Sequence, residues 1–230
     1  MKIHGLQKMT LLDYPGRVAC TVFLGGCDFH CPFCHHFGLV DGSDPAVMDE
    51  RELFAFLEKR RGLLDGVAIT GGEPCLRPEL PDLIRGIRAL GYSVKLDTNG
   101  AHPALLEGLL REGLVDYVAM DIKNSPANYG RTIGVPGFGL APVRRSAALL
   151  MEGAADYEFR TTVVEELHTA EDFREIGRWL AGARRYFLQA FTDRETVPVG
   201  GLHAPSRERM EEYAAIARQT IAEVALRGVD

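Results

Sequence analysis

Cys27, Cys31 and Cys34 stand in the run Cys27-Asp28-Phe29-His30-Cys31-Pro32-Phe33-Cys34, a C-x3-C-x2-C spacing that follows directly on the apolar stretch Val18 to Leu24. Three thiolates on one short loop can wrap one corner of a metal cluster, but they do not complete the four-cysteine set of a cubane [4Fe-4S] cluster that only carries electrons. One iron is left open. An open coordination position separates a catalytic metal site from a closed structural one, and a small chelating molecule can occupy it. Zinc is the alternative metal, with His30, His35 or His36 as a fourth ligand, although zinc sites more often pair two C-x2-C groups or place histidines at matching spacing. Disulfide pairing fits such a dense cluster less well. Met1-Lys2-Ile3 opens without a long apolar segment, which predicts a cytoplasmic protein in a reducing compartment.

Further short motifs recur along the chain: Gly71-Gly72-Glu73-Pro74, Leu96-Asp97-Thr98-Asn99-Gly100 and Ala119-Met120-Asp121-Ile122-Lys123. The elements around them alternate strand and helix. Strands are expected over 17–24, 66–70, 92–96, 114–120, 157–164 and 185–191, with helices over 50–61, 78–90, 103–112, 142–152, 169–181 and 205–226, read from apolar spacing and turn residues. Such alternation implies an α/β fold, a parallel sheet with helices outside and right-handed connections. Six units are two short of a closed TIM barrel, so the expectation is a partial (β/α)6 TIM-like barrel in one domain spanning 1–230, open on one side. The cysteine loop and the three later motifs all follow predicted strands. Ligands of such sheets bind at the carboxyl ends of the strands, so the four motifs should face one cavity. Each motif alone is also an ordinary turn, with Asn99-Gly100 as turn chemistry and Asp121 paired to Lys123.

Composition narrows the partners. The 230 residues are 46% hydrophobic and 25% charged, values of an ordinary globular chain, and 26 basic against 32 acidic side chains give a net charge of -6. There is no basic stripe, so nucleic acid is disfavoured as a direct partner. No stretch approaches the roughly 18 apolar residues of a membrane span, so no membrane is expected either. With three cysteines in the loop, only Cys20 and Cys75 remain, too few for a second cluster. Cys20 is expected in the core, and Cys75, next to the GGEP turn, near the ligand cavity or buried as a small apolar residue.

The cysteine spacing with Phe33 before the third cysteine resembles the signature of radical S-adenosylmethionine (radical SAM) enzymes. The resemblance implies a [4Fe-4S] cluster on Cys27, Cys31 and Cys34, with S-adenosylmethionine on the open iron. It also implies that the backbone of Gly71 and Gly72 holds the amino group of the methionine moiety, with Glu73 helping to close that site. The Asp97-Thr98 and Asp121-x-Lys123 motifs resemble most closely the glycyl-radical-enzyme activating enzymes, including the activators of anaerobic ribonucleotide reductase and of pyruvate formate-lyase. By that likeness Asp97, Thr98 and Asp121 contact the cofactor or a monovalent cation beside its carboxylate, Lys123 partners the carboxylate, and Arg160 on the fifth strand contacts the cofactor. Arg160 has a plainer alternative, an ion pair with Glu158 or Glu165. Asp13, in Asp13-Tyr14-Pro15-Gly16, matches an Asp-x-Pro-Gly element that approaches the active site from before the first strand, and is the candidate catalytic residue.

The implied activity is reductive cleavage of S-adenosylmethionine to a 5'-deoxyadenosyl radical that abstracts a glycine hydrogen in a partner glycyl radical enzyme, with a flavodoxin or ferredoxin as electron donor. Cys34-His35-His36 departs from the family's frequent Cys-His-Asn, and Leu188-Gln189-Ala190-Phe191-Thr192 lacks the histidine of pyruvate formate-lyase activators, which points to the anaerobic ribonucleoside-triphosphate reductase branch. The alternatives are a radical SAM enzyme acting on a small molecule, such as a carboxy-deazaguanine synthase, and a metal-binding module without catalysis.

Overall fold

The computed structural model describes residues 1–229. In chain order the elements are β1 (Lys2–Ile3), β2 (Gly5–Thr10), β3 (Ala19–Leu24), α1 (Phe37–Asp41), β4 (Met48–Asp49), α2 (Glu50–Lys59), β5 (Gly66–Gly71), α3 (Leu80–Ala89) and β6 (Ser93–Thr98). They continue as α4 (Pro103–Arg111), β7 (Tyr117–Asp121), α5 (Tyr129–Thr132), α6 (Ala141–Met151), β8 (Asp156–Val163), α7 (Ala170–Trp179), β9 (Arg185–Ala190), α8 (Arg207–Ala217) and β10 (Glu223–Arg227). Local chemistry starts the helices. Asp49 and Glu52 form a capping box ahead of α2, and Thr169 and Asp172 form another ahead of α7, satisfying N–H groups that the helix itself leaves unpaired. Helices α3, α4 and α6 carry proline in the first turn, where the missing N–H costs nothing.

The main sheet runs β10-β9-β8-β7-β6-β5-β3-β2. All pairings from β3 to β10 are parallel, which bears out six strand–helix units and the partial barrel. Two strands of this sheet lie beyond the expectation. β2 joins the open edge antiparallel to β3, and β10 adds a seventh parallel strand where the sequence predicts the end of one long helix. The helix expected over 205–226 stops at Ala217, and Ile221 and Val224 are buried as part of the turn and strand that follow. The two-stranded β1–β4 pairing sits apart.

Strand residues alternate between two faces. On β6, Val94 and Leu96 belong to the apolar core, while Lys95 and Asp97 line the concave interior. On β8, Tyr157 and Phe159 pack in the core, while Glu158 and Arg160 face inward. Val118 and Met120 do the same on β7, leaving Asp121 on the concave side. The apolar faces are covered by the helices, as where Phe173 of α7 stacks on Tyr213 of α8 with ring centroids 4.4 Å apart. The result is a dry outer core and a polar, charged lumen, and the lumen is where the chemistry-bearing side chains gather. Among the described residues, no helix is long and apolar enough to cross a membrane.

Candidate functional site

The cysteine loop leaves the carboxyl end of β3 and is held by backbone contacts on both sides. Gly72 N–H donates to the Leu24 carbonyl at 2.9 Å, Glu73 N–H to the Gly26 carbonyl at 2.8 Å, and His30 N–H to the Ile133 carbonyl at 2.8 Å. The guanidinium of Arg77 holds the Gly25 carbonyl. The two glycines make this fit possible. A Cβ on Gly72 would lie 2.0 Å from the Gly26 oxygen, and one on Gly71, whose φ is +128°, would lie 2.1 Å from the Leu24 oxygen. Gly71 and Gly72 thus press the GGEP turn onto the cysteine loop, and both also line the cavity in front of it.

Cys27, Cys31 and Cys34 line that same cavity as free thiols, beside Phe29 and Phe33. Burial pushes Cys27 up to about 12 and Cys31 up to about 11, because the thiolate loses water, and the Lys123 ammonium pulls each of them part of the way back. Such thiols favour the thiolate once a metal supplies the missing positive charge. A cubane cluster takes each thiolate on a different iron, and the three cysteines line one cavity, as such a cluster requires. His35 and His36 reach the cavity wall, but His35 is stacked on Phe191 with its Nε2 2.6 Å from the Thr192 carbonyl oxygen, and His30 is exposed outside the cavity.

Facing the thiols is a chain of alternating charges drawn from β6, from β7 and the turn after it, and from β8. Lys95 pairs with Asp97 Oδ1, Arg160 Nη1 lies 3.2 Å from Asp97 Oδ2, Arg160 Nε donates to Asp121 Oδ1 at 3.0 Å, and Lys123 Nζ donates to Asp121 Oδ2 at 2.9 Å. Burial alone would raise the Asp121 carboxyl, but the Arg160 and Lys123 charges outweigh it and hold the group at about 2. Burial would likewise lower Lys123, yet Asp121 raises it overall, so both are charged at neutral pH. The backbone of Lys123 is fixed from behind: buried His168 accepts the Val164 N–H at Nδ1, which leaves Nε2–H to donate to the Lys123 carbonyl at 2.9 Å. Asp121 is thus paired to Lys123, as an ordinary turn would have it, while Arg160 takes neither of the partners suggested for it. Glu158 is bound by Arg227 and Glu165 by Arg209, because Arg160 projects into the lumen between two carboxylates.

Glu73 does not line the cavity. Its carboxylate is fully buried, with Oε1 accepting from Cys75 N–H and Thr98 Oγ1 at 2.8 Å each and Oε2 accepting from Asn99 N–H at 2.6 Å. Burial raises it to about 7 against those three donors. Thr98 lines the cavity and is locked by this contact, while Cys75 is sealed behind it and Cys20 lies in the core. Asp13 is not brought to the thiols. It accepts from Thr21 Oγ1 at 2.5 Å and lines a second cavity of about 600 Å³ with Leu11, Leu12, Lys95 and Arg227. The two cavities share Asp97 and Arg160.

Two site residues escape the motif reading. Asn99 Nδ2 donates to Asp28 Oδ1 at 2.9 Å and lies 3.9 Å from Cys27 Sγ, tying the DTNG turn to the cysteine loop. Lys95, a charge between the core residues Val94 and Leu96, is 2% exposed. Its signal is visible in the sequence as the only charged residue in Ser93-Val94-Lys95-Leu96.

Comparison with known proteins agrees with this geometry. The model of the radical SAM superfamily matches residues 21–180. A Methanocaldococcus jannaschii protein provisionally named a glycyl-radical enzyme activating enzyme is 27% identical over 99% of this chain and 96% of its own length. A pyruvate formate-lyase-activating enzyme of Clostridium pasteurianum is 30% identical over 54% of this chain and 52% of its own. The structure of SuiB from Streptococcus suis bound to the precursor peptide SuiA superposes with a TM-score of 0.71 at 14% identity, over 90% of this chain and 48% of that one, a likeness of fold.

Proposed function

The chain belongs to the radical SAM superfamily, and from that membership we propose that it activates a glycyl radical enzyme, with anaerobic ribonucleoside-triphosphate reductase as the expected target. A [4Fe-4S] cluster on Cys27, Cys31 and Cys34, when bound, supplies the electron that splits S-adenosylmethionine into methionine and a 5'-deoxyadenosyl radical able to take a glycine hydrogen.

The chain's own residues prepare for that step. Gly71, Gly72 and Thr98 form the wall beside the thiols, and Glu73 holds that wall by bonding Thr98 and Asn99. Arg160, Lys123 and Lys95 set three cations against Asp97 and Asp121, a surplus of one positive charge that suits the carboxylate of the methionine moiety. Lys123 and Arg160 face that carboxylate, and Asp97 and Asp121 keep both cations in place. Asp13, anchored on Thr21, would meet the substrate in the second cavity.

One observation carries the choice of a protein substrate. The second cavity lies in the seam between the two edges of the open sheet, lined on one side by Leu11, Leu12, Asp13 and Pro15 after β2 and on the other by Arg227 and Gly228 at the end of β10. Leu11 and Leu12 are 67% and 90% exposed there. A seam with apolar lips suits a chain segment entering from outside, which would also exclude water from the reacting atoms. The near full-length likeness to the Methanocaldococcus jannaschii protein supports the same reading. The protein would work in the cytoplasm, with a flavodoxin or ferredoxin as electron donor.

The test is electron paramagnetic resonance on reconstituted, reduced protein with S-adenosylmethionine. A carbon-centred doublet should form only when the partner reductase is added. Rapid consumption of a free purine or pterin precursor, with no such signal on any glycyl radical enzyme, would replace this reading with a small-molecule radical SAM enzyme.

A further inference from the structure

All four carboxylate oxygens of Asp97 and Asp121 face a cation that belongs to the chain. Asp97 Oδ1 is taken by Lys95 and its Oδ2 by Arg160; Asp121 Oδ1 is taken by Arg160 and its Oδ2 by Lys123. A monovalent metal ion beside the S-adenosylmethionine carboxylate would have to draw on these same oxygens, since hard ions take hard oxygen ligands. The residues present do not fit it. Every one of these oxygens already holds a protein cation, so an added ion would have to displace Lys95, Arg160 or Lys123 from its carboxylate.

Lys95 makes the difference. Arg160 and Lys123 alone would leave Asp97 Oδ1 free and the group neutral, a setting that would accept an ion. Lys95 stands two residues before Asp97 on β6, so strand alternation sends both side chains to the concave face. Lys95 is 2% exposed, and its ammonium reaches Asp97 across that short separation. A buried ammonium is costly unless it stays on a carboxylate, which ties it to that oxygen.

We infer that the Lys95 ammonium stands in this chain where a monovalent cation would otherwise sit, so that S-adenosylmethionine binds without sodium or potassium. Lys95 is then a positioning residue: it completes the neutralisation of Asp97, leaving Arg160 and Lys123 to meet the cofactor carboxylate.

The experiment measures S-adenosylmethionine binding by equilibrium dialysis to cluster-reconstituted, oxidised protein, in which the cofactor is not cleaved. Potassium, sodium and choline chloride are compared at equal ionic strength. Wild-type affinity should agree across the three salts to within about twofold. Lys95→Met should bind about tenfold more weakly in choline and recover most of that loss in potassium, a rescue that a merely structural lysine would not show. Wild-type binding about fivefold or more tighter in potassium or sodium than in choline would overturn the inference. So would a folded Lys95→Met protein that potassium does not rescue. Should that variant fail to fold, thallium-205 resonance of wild-type protein with the cofactor decides: only the free ion is expected, and a bound resonance displaced by potassium refutes the assignment.

Discussion

Glu73 Oε2 accepts the backbone N–H of Asn99 at 2.6 Å, so a side chain from the turn after β5 carries the turn after β6. The same carboxylate takes Cys75 N–H and Thr98 Oγ1, which leaves only donors around it. A glutamine there must turn its NH2 toward a donor. At pH 8, where the folded carboxyl is ionised, Glu73→Gln should therefore destabilise the protein by roughly 1 to 3 kcal/mol, the cost of a buried donor left unpaired. The loss should depend on pH. Burial raises the folded-state Glu73 from 4.5 to about 7, so its stabilising contribution is fully present below about pH 4.5 and is lost as pH rises through about 7. Thermal melts of wild type and variant should differ more at pH 5 than at pH 8. A gap that widens as pH rises would contradict this assignment.

What the sequence reveals and conceals here has physical causes. The cysteine loop and the strand-end motifs are legible because strand–helix alternation sends every strand's carboxyl end to one rim, whatever the helices' exact bounds. β10 is concealed because Met210, Tyr213, Ala214, Ala217, Ile221 and Val224 keep helical spacing across the true end of α8, with no glycine before Gly228 to break it. All six are buried, but the last two serve a turn and a strand. β2 is an edge strand of mixed composition, Gly5-Leu6-Gln7-Lys8-Met9-Thr10, so it carries little alternation to read. The ion partners of Arg160 are concealed for another reason. They come from β6 and β7, two neighbouring strands whose register only the folded sheet supplies.

Cys27→Ala, Cys31→Ala and Cys34→Ala should each abolish a full cubane cluster, while Cys20→Ala and Cys75→Ala should retain it. The first three line one cavity; Cys20 and Cys75 lie outside it. Iron and sulfide content after anaerobic reconstitution reads this out. A full complement of both in Cys31→Ala would remove the cluster assignment.

Arg227 of β10 binds Glu158 through two hydrogen bonds, at 2.8 and 2.9 Å, and Glu158 also accepts the Tyr117 hydroxyl at 2.8 Å. Glu158 is 1% exposed, so Arg227→Ala strands a buried carboxylate and should cost roughly 3 to 5 kcal/mol in denaturant melts. Adding Glu158→Gln should recover much of that loss, because the stranded charge is then gone. Glu171→Gln, which breaks only an exposed pair with Arg174 and Arg178, should leave the melt unchanged. If Arg227→Ala behaves like Glu171→Gln, β10 is not clamped by this pair.

Lys123 sits where two demands meet. Its ammonium pairs with Asp121 and lies close enough to Cys31 for each to shift the other's titration. Lys123→Met keeps the length and apolar stem but removes the charge, leaving Arg160 and Lys95 to balance Asp97 and Asp121 with no surplus for an incoming carboxylate. S-adenosylmethionine binding should weaken by roughly 1.5 to 3 kcal/mol, the range for a charged hydrogen bond. Cluster content should be retained, since all three thiols remain. Fold should be retained as well, because Asp121 keeps Arg160 and the Lys123 carbonyl still accepts from His168. Equilibrium dialysis, iron content and a thermal melt on the same sample separate the outcomes: unchanged affinity would show that Lys123 only buttresses Asp121, whereas lost iron would make it a partner of the thiolates first.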